Sequence, residues 1–306
     1  MQITFCCVAT DAEAWLNDLR AALPGATISL WHSGAPAADY AIVWAPPQAF
    51  FDEQPQLKAA FNIGAGVDAL LRLHISPTTQ LIRLDDAGMG AQMAAYVCHA
   101  LIRHYRDFSG YDADQQAGVW KQREVLPRSE MPVGIMGLGV LGQRVAQAVA
   151  QFDFPVNGWS RTAKEVPGVR CFHGANGFHE FLAASRVLVS VLPATPETRD
   201  LINRDTLSRL QRGGYLINVA RGVQLVEEDL LALLAEGQMA GAALDVFRTE
   251  PLPAGHPFWA HPKIHITPHS AALTIRSESV AQIATKMAAL QSGQPVAGVV
   301  DRQRGY

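Results

Sequence analysis

Short apolar runs and helix-like segments alternate along nearly the whole chain. In the first hundred residues the runs Ile3–Val8, Thr27–Leu30, Tyr40–Val43 and Leu81–Leu84 predict strands. Asp11 to Ala22 predicts a helix: Asp11 caps it, Trp15, Leu16 and Leu19 form one apolar face, and Pro24-Gly25 stops it. Met93 to Phe108 predicts a longer one, with Ala94, Val97, Leu101, Ile102 and Tyr105 at helical spacing. Ser109 to Pro132 is polar and too long for an ordinary connection, so it reads as a linker or arm. Trp120 in its middle reads equally as an oligomer anchor or as a hydrophobic pin. From Val133 the alternation restarts, with strands predicted at Val133–Met136, Val156–Ser160, Val187–Leu192, Tyr215–Val219, Ala242–Asp245 and Ile264–Thr267. A last helix is predicted from about Thr274 to Leu290. This order predicts an α/β protein with parallel sheets.

Composition narrows the class. The 306 residues suggest two domains, and 49% apolar against 17% charged residues is enough to bury a sizeable core. The formal charge of −3, without a long basic run, argues against nucleic acid as the main partner. Cys6, Cys7, Cys98 and Cys171 form no C-x-x-C pair and have no zinc-ligand spacing; reduced thiols are expected, and no metal. The N-terminal residues read as a strand rather than a signal peptide, and no run of about 18 apolar residues occurs. A cytoplasmic protein, with no membrane partner, is therefore expected.

The strongest local signal is Val133-Gly134-Ile135-Met136-Gly137-Leu138-Gly139-Val140-Leu141-Gly142, a G-x-G-x-x-G between a predicted strand and a helix with Val145, Ala146, Val149 and Phe152 as its inner face. Gly137 permits a tight turn, Gly139 lets backbone approach a pyrophosphate, and Gly142 permits close helix–strand packing. The helix N-terminus then offers free N–H groups and a favourable dipole to phosphate. Six strands in this order match the doubly wound dinucleotide fold. Its second strand usually ends on an acid that holds the ribose hydroxyls, about 20 residues past the glycines. Here Trp159-Ser160-Arg161-Thr162 has none. Ser160 and Arg161 suit a 2′-phosphate, so NADP(H) is expected over NAD(H); the plainer reading of Arg161 is a solvated surface residue.

Three polar residues follow later strands: Arg221, Glu250 and His269. In an open α/β sheet the carboxyl ends of strands line the ligand crevice. Taken singly, each reads as a surface or turn residue; together they suit reduction of a 2-oxo acid. Arg221 can grip a carboxylate with its planar fork, and His269 can protonate the carbonyl oxygen as hydride arrives. Glu250 can orient the imidazole and favour its charged form.

The chain resembles the D-2-hydroxyacid dehydrogenases, in particular the glyoxylate/hydroxypyruvate reductase A group. The similar segments are Phe61-Asn62-Ile63-Gly64-Ala65-Gly66-Val67-Asp68, Gly134 to Gly139, Leu192-Pro193-Ala194-Thr195-Pro196-Glu197-Thr198, Ile217 to Gly222, Ala243 to Phe247, Ile266 to Ser270, and the tail Gly298 to Tyr306. The resemblance implies a Rossmann cofactor domain, 99–270, inserted into a flavodoxin-like substrate domain, 1–98 with 271–306. It places the family's Arg, Glu and His on Arg221, Glu250 and His269. It implies a cofactor site of Gly137, Leu138, Gly139, Val140, Leu141, Gly142, Ser160, Arg161, Thr162, Leu192, Pro193, Ala220 and Asp245. Asp245 either positions the nicotinamide or caps a turn. Gly64, Ala65, Gly66 and Val67 would add backbone N–H groups to the grip of Arg221 and His269 on substrate, unless they form an ordinary turn. Trp44 reads either as a pocket-closing residue suited to a small substrate or as core. The two long helices would act as a hinge, and the arm around Trp120 resembles a dimerisation region, so a homodimer is expected. One departure is that many members carry a Glu in the first long helix where this chain reads Met93-Ala94-Ala95-Tyr96.

The expected activity is NADPH-dependent reduction of glyoxylate to glycolate and hydroxypyruvate to D-glycerate. Two rivals remain: an NAD-linked dehydrogenase of another 2-hydroxy acid, and a nucleotide-sensing, corepressor-like binding protein on the same fold.

Overall fold

The computed structural model describes residues 1–8 and 10–306. The chain divides into two units, Met1–Met89 with Thr274–Tyr306, and Gly90–Leu273.

In the first unit β1 (Gln2–Cys7), α1 (Ala12–Ala22), β2 (Thr27–Leu30), β3 (Tyr40–Trp44), α2 (Gln48–Glu53), β4 (Ala59–Asn62) and β5 (Gln80–Arg83) build a parallel sheet in the order β2-β1-β3-β4-β5. That is the flavodoxin-like order. Asp11 caps α1 as expected, accepting from the Ala14 N–H at 3.2 Å, and Trp15, Leu16 and Leu19 are buried. The sequence reading missed β4. Its Ala59-Ala60 start lacks the β-branched signature, and only burial on both faces makes it a strand.

α3 (Met89–Tyr105) opens the second unit, followed by α4 (Phe108–Gln116). The expected boundary after residue 98 cuts through α3. Met93, Ala94, Val97, Cys98 and Leu101 pack in one core with Val133, Ile135 and Val145, which draws the helix into the second unit. The supposed linker from Ser109 is thus partly helical. Asp107, at φ 49°, caps α4 through the Gly110 N–H at 3.2 Å, and Arg123 pairs with Asp107 and Asp114, each at 2.7 Å. Trp120 is 99% exposed, which removes the reading of a pin against its own chain.

The second sheet holds β6 (Val133–Met136), β7 (Val156–Ser160) and β8 (Val169–His173), with α5 (Val140–Ala150) and α6 (Gly174–Ala183). It continues with β9 (Val187–Ser190), α7 (Arg204–Ser208), β10 (Gly214–Asn218), α8 (Glu227–Ala235), β11 (Met239–Leu244) and β12 (Ile264–Ile266). Its seven strands run parallel in the order β12-β11-β10-β9-β6-β7-β8. This is the doubly wound order with one strand more than the six expected. The missed strand, β8, is an edge whose only buried side chain is Phe172, so it carries no apolar run. α3 and α5 cover one face of the sheet, and α6, α7 and α8 cover the other. Phe152 is 42% exposed instead of facing inward, because α5 ends at Ala150; Phe154 takes the buried place.

The chain closes with α9 (Arg276–Gln291) in the first unit, where Lys286 is buried on Asp85 and the Arg83 carbonyl. All four cysteines are free thiols, and burial pushes Cys6 up to about 11. Among the described residues no helix is long and apolar enough to cross a membrane.

Candidate active site

The turn between β6 and α5 is shaped by its glycines. Gly137 sits at φ 111°, where other residues are strained, and an added Cβ would meet the Val191 carbonyl oxygen at 3.1 Å. Above Gly139 the space is open, and Gly139 stands at the helix N-cap without a side-chain cap. The first N–H groups of α5 are thus left for an outside acceptor. At Gly142, in the first turn of α5, a Cβ would collide with the Gly137 carbonyl oxygen just past β6 and would also reach Ile135 of that strand at 3.8 Å, so the third glycine lets the helix close onto the strand end. Leu138 is buried against Gly158, so it can serve a ligand only through its backbone. Val140 is half exposed and Leu141 partly buried. This cradle fits a dinucleotide pyrophosphate.

At the end of β7, Arg161 and Thr162 are exposed. The Ser160 hydroxyl donates to the Thr162 carbonyl at 2.8 Å. In this conformation its proton is spent within the loop. Across β6, after β9, the Thr195 hydroxyl, the backbone N–H of Glu197 and the charge of Arg161 hold the Glu197 carboxyl below the usual carboxylate range. Arg161 and Glu197 thus flank the glycine turn from its two neighbouring strands.

Several residues that sequence reasoning missed hold this region in place. Gln224 is fully buried; its amide donates to the carbonyls of Leu192 and Pro193 at 2.9 and 3.0 Å and accepts from Ser190 at 2.8 Å. Asn218, also fully buried, accepts from the Ala220 N–H at 3.1 Å and donates to the Arg221 carbonyl at 3.3 Å. The one legible signal was an amide closing an otherwise apolar strand, Tyr215-Leu216-Ile217-Asn218. In the first unit Asn62 does the same for the loop after β4, donating to the carbonyls of Gly64 and Gly66, both at 2.9 Å. Ala65 and Gly66 are half-buried there, and Val67 points into the core, so its contribution is limited to backbone. Trp44 lies over Gly64, where a Cβ would meet the indole at 2.5 Å, and is 37% exposed, so it is not core.

Arg221 follows β10 and is partly buried, its Nη1 donating to the Ala220 carbonyl at 2.7 Å. The next residue, Gly222, lies so close to the Phe247 backbone that any Cβ would overlap it. The exits of β10 and β11 are thereby locked together. Phe247 in turn donates its N–H to Glu250 Oε1 at 2.9 Å, and Glu250 Oε2 lies 2.8 Å from His269 Nδ1. The imidazole is 46% exposed, so its other nitrogen can serve a ligand. Such a pair fixes the ring and leaves its exposed nitrogen placed for proton exchange with a ligand.

Asp245 has a structural post. It is 1% exposed and accepts from Thr267 Oγ1 at 2.6 Å, from Ser270 N at 2.8 Å and from Ala271 N at 2.9 Å. Its carboxylate fixes the turn that carries His269, which favours the turn-capping reading over contact with the nicotinamide.

Residues 98–271 match the model of the NAD-binding domain of D-isomer specific 2-hydroxyacid dehydrogenases. The chain belongs to this family. It is therefore an NAD(P)-dependent oxidoreductase of the 2-hydroxyacid dehydrogenase fold. A D-isomer specific 2-hydroxyacid dehydrogenase of Xanthobacter autotrophicus Py2, solved with NADPH and MES, is 40% identical at a TM-score of 0.95, over 100% of this chain and 99% of that one. An NADPH-dependent glyoxylate/hydroxypyruvate reductase of Sinorhizobium meliloti, solved with NADP and sulfate, is 33% identical at 0.94, over 100% and 99%. A probable 2-hydroxyacid dehydrogenase of Rhizobium etli, solved with NADP, HEPES and L(+)-tartaric acid, is 31% identical at 0.92, with the same coverage.

Proposed function

We propose that the enzyme uses NADPH to reduce small 2-oxo acids, glyoxylate to glycolate and hydroxypyruvate to D-glycerate. The observation that carries this reading is the His269–Glu250 pair, 2.8 Å apart, at the strand exits next to that of Arg221. The S. meliloti relative is itself a glyoxylate/hydroxypyruvate reductase. NADPH, when bound, supplies the hydride that the carbonyl carbon accepts. The carbonyl oxygen takes its proton from His269 Nε2. Glu250 keeps the ring oriented through Nδ1 while the proton leaves Nε2. Arg221 grips the substrate carboxylate and holds the carbonyl carbon in line for the hydride.

The test is a panel of 2-oxo acids with NADPH and with NADH, followed by cofactor absorbance. Turnover of glyoxylate and hydroxypyruvate with NADPH is expected; no turnover of any 2-oxo acid would sink the reading. NADP preference is supported by the acid-free end of β7 and by Arg161. Arg161→Ala is expected to raise the KM for NADPH roughly 10- to 100-fold, the loss of one charge-assisted pair. The KM for NADH should change little. A wild-type enzyme that favours NADH would remove the role given to Arg161.

We further propose that the protein is a homodimer joined through the arm after α4. Val119, Trp120, Val125 and Leu126 expose 49, 99, 45 and 40% of their surface along a short stretch, which suits a buried interface. Sedimentation velocity should give a dimer that Trp120→Glu dissociates. A monomeric wild-type protein would refute this.

A further inference from the structure

We propose that Gln92 and Tyr96 are positioning residues for His269, acting from α3 on the segment 267–273; the inference rests on the proton-donor role proposed above. The two residues lie four apart and so share a face of the helix. Each grips one end of that segment. The Gln92 carboxamide donates to the Leu273 carbonyl at 2.9 Å and accepts from the Leu273 N–H at 3.2 Å, as a neighbouring strand would. One helical turn on, the Tyr96 hydroxyl lies 2.7 Å from Thr267 Oγ1. Thr267 has a single proton, which it gives to the Asp245 carboxylate at 2.6 Å, so Tyr96 must be the donor in its own bond. The rail therefore runs in one direction, from Tyr96 through Thr267 to Asp245. Burial raises the Tyr96 phenol above its ordinary value, which keeps the proton where the rail needs it.

Between these two grips sits His269, at φ 53°, in the left-handed region that a residue with a side chain adopts at a cost. Such a conformation persists only where its surroundings over-determine it. Here the His269 N–H donates to the Asp245 carbonyl at 2.8 Å, and the Asp245 carboxylate accepts from the N–H groups of Ser270 and Ala271. Asp245 supplies the inner half of the support, and α3 supplies the outer half. Without the Tyr96 hydroxyl, Thr267 and Asp245 lose their fixed reference on the helix. The backbone at His269 can then relax away from positive φ. A shift of about 1 Å in a reacting group can cost on the order of 100-fold in rate. The Tyr96 hydroxyl is only part of the support, so a smaller loss is expected.

Tyr96→Phe is expected to lower kcat about 10-fold, with the KM for the 2-oxo acid and the Kd for NADPH, read by cofactor fluorescence, little changed. Gln92→Ala, at the half-buried end of the clamp, should move kcat the same way with less risk to folding, and melting temperatures accompany both. Thr267→Val should fall like Tyr96→Phe, and Thr267→Ser, which keeps the hydroxyl, should restore most of the rate. The deciding measurement adds Tyr96→Phe to a His269→Ala enzyme. A residue that works through His269 has nothing left to position, so no further loss in kcat is expected. The same 10-fold loss in that background would overturn the inference, as would a wild-type rate for Tyr96→Phe beside a crippled His269→Ala. A His269→Ala enzyme at full rate would instead remove the proton-donor reading itself, and the clamp's purpose with it.

Discussion

His269→Ala should lower kcat for glyoxylate or hydroxypyruvate reduction by about 10²- to 10⁴-fold, the range over which a positioned general acid contributes. As hydride reaches the carbonyl carbon, the carbonyl oxygen becomes an alkoxide. Without a donor, that charge must be met by water. The imidazole is fixed at Nδ1 by Glu250 Oε2 at 2.8 Å, and Glu250 is itself held by the Phe247 N–H at 2.9 Å, which suits the proposed donor role. The loss should fall on kcat and kcat/KM together, because the interaction is made in the transition state. NADPH affinity should be unchanged. Glu250→Gln keeps a hydrogen-bond acceptor for the ring but removes the charge, and should lose less than His269→Ala. Full activity in His269→Ala, measured by single-turnover NADPH oxidation, would eliminate the assignment.

Arg221→Ala is expected to lower kcat/KM on the order of 10²- to 10³-fold, mainly through KM, since removing one partner of a desolvated charge pair costs about 2–5 kcal/mol. Arg221→Lys keeps the charge but loses the planar two-pronged grip, and should recover only part of the loss. A substrate without a carboxylate gives the control. If a simple aldehyde is reduced at all, its rate should be nearly indifferent to Arg221. Equal losses for the aldehyde and the 2-oxo acid would show that Arg221 acts on something other than the carboxylate. The loop that carries it is rigid by construction, with Asn218 bonded at both Ala220 and Arg221.

Much of this architecture is legible in the sequence because local signals and tertiary demands coincide. Asp11 is both a cap by chemistry and a cap in the structure. The G-x-G-x-x-G runs from the end of β6 into the first turn of α5, where Gly142 is required most by the Gly137 carbonyl just past the strand. What escaped notice is what depends on distant partners. β4 begins on two alanines and is a strand only because both faces are covered. β8 is an edge with a single buried side chain. α4 hides in a polar stretch because its stability comes from an Asp107 cap and the Arg123 ion pairs, neither of which leaves an apolar period. At the site, Arg221, Glu250 and His269 stood out as charged residues after apolar strands. Gln224 and Asn218 did not, because a buried amide is recognisable only once the carbonyls it serves are in place. Asp245 stood out, but its three donors lie more than twenty residues away in sequence.

The absence of a side chain at Gly222 also limits how this enzyme can be re-engineered. The role proposed for Arg221 would make its neighbours natural positions to randomise for a wider substrate range. At position 222 that effort would be wasted. Any L-residue would push the Phe247 backbone, and Glu250 would move with the N–H it depends on. At Gly64 the constraint is softer, because what a new side chain would meet there is the indole of Trp44, which can swing aside. A library built at 44 and 64, leaving 222 fixed, would vary the protein where a side chain can yield and spare the place where only backbone could.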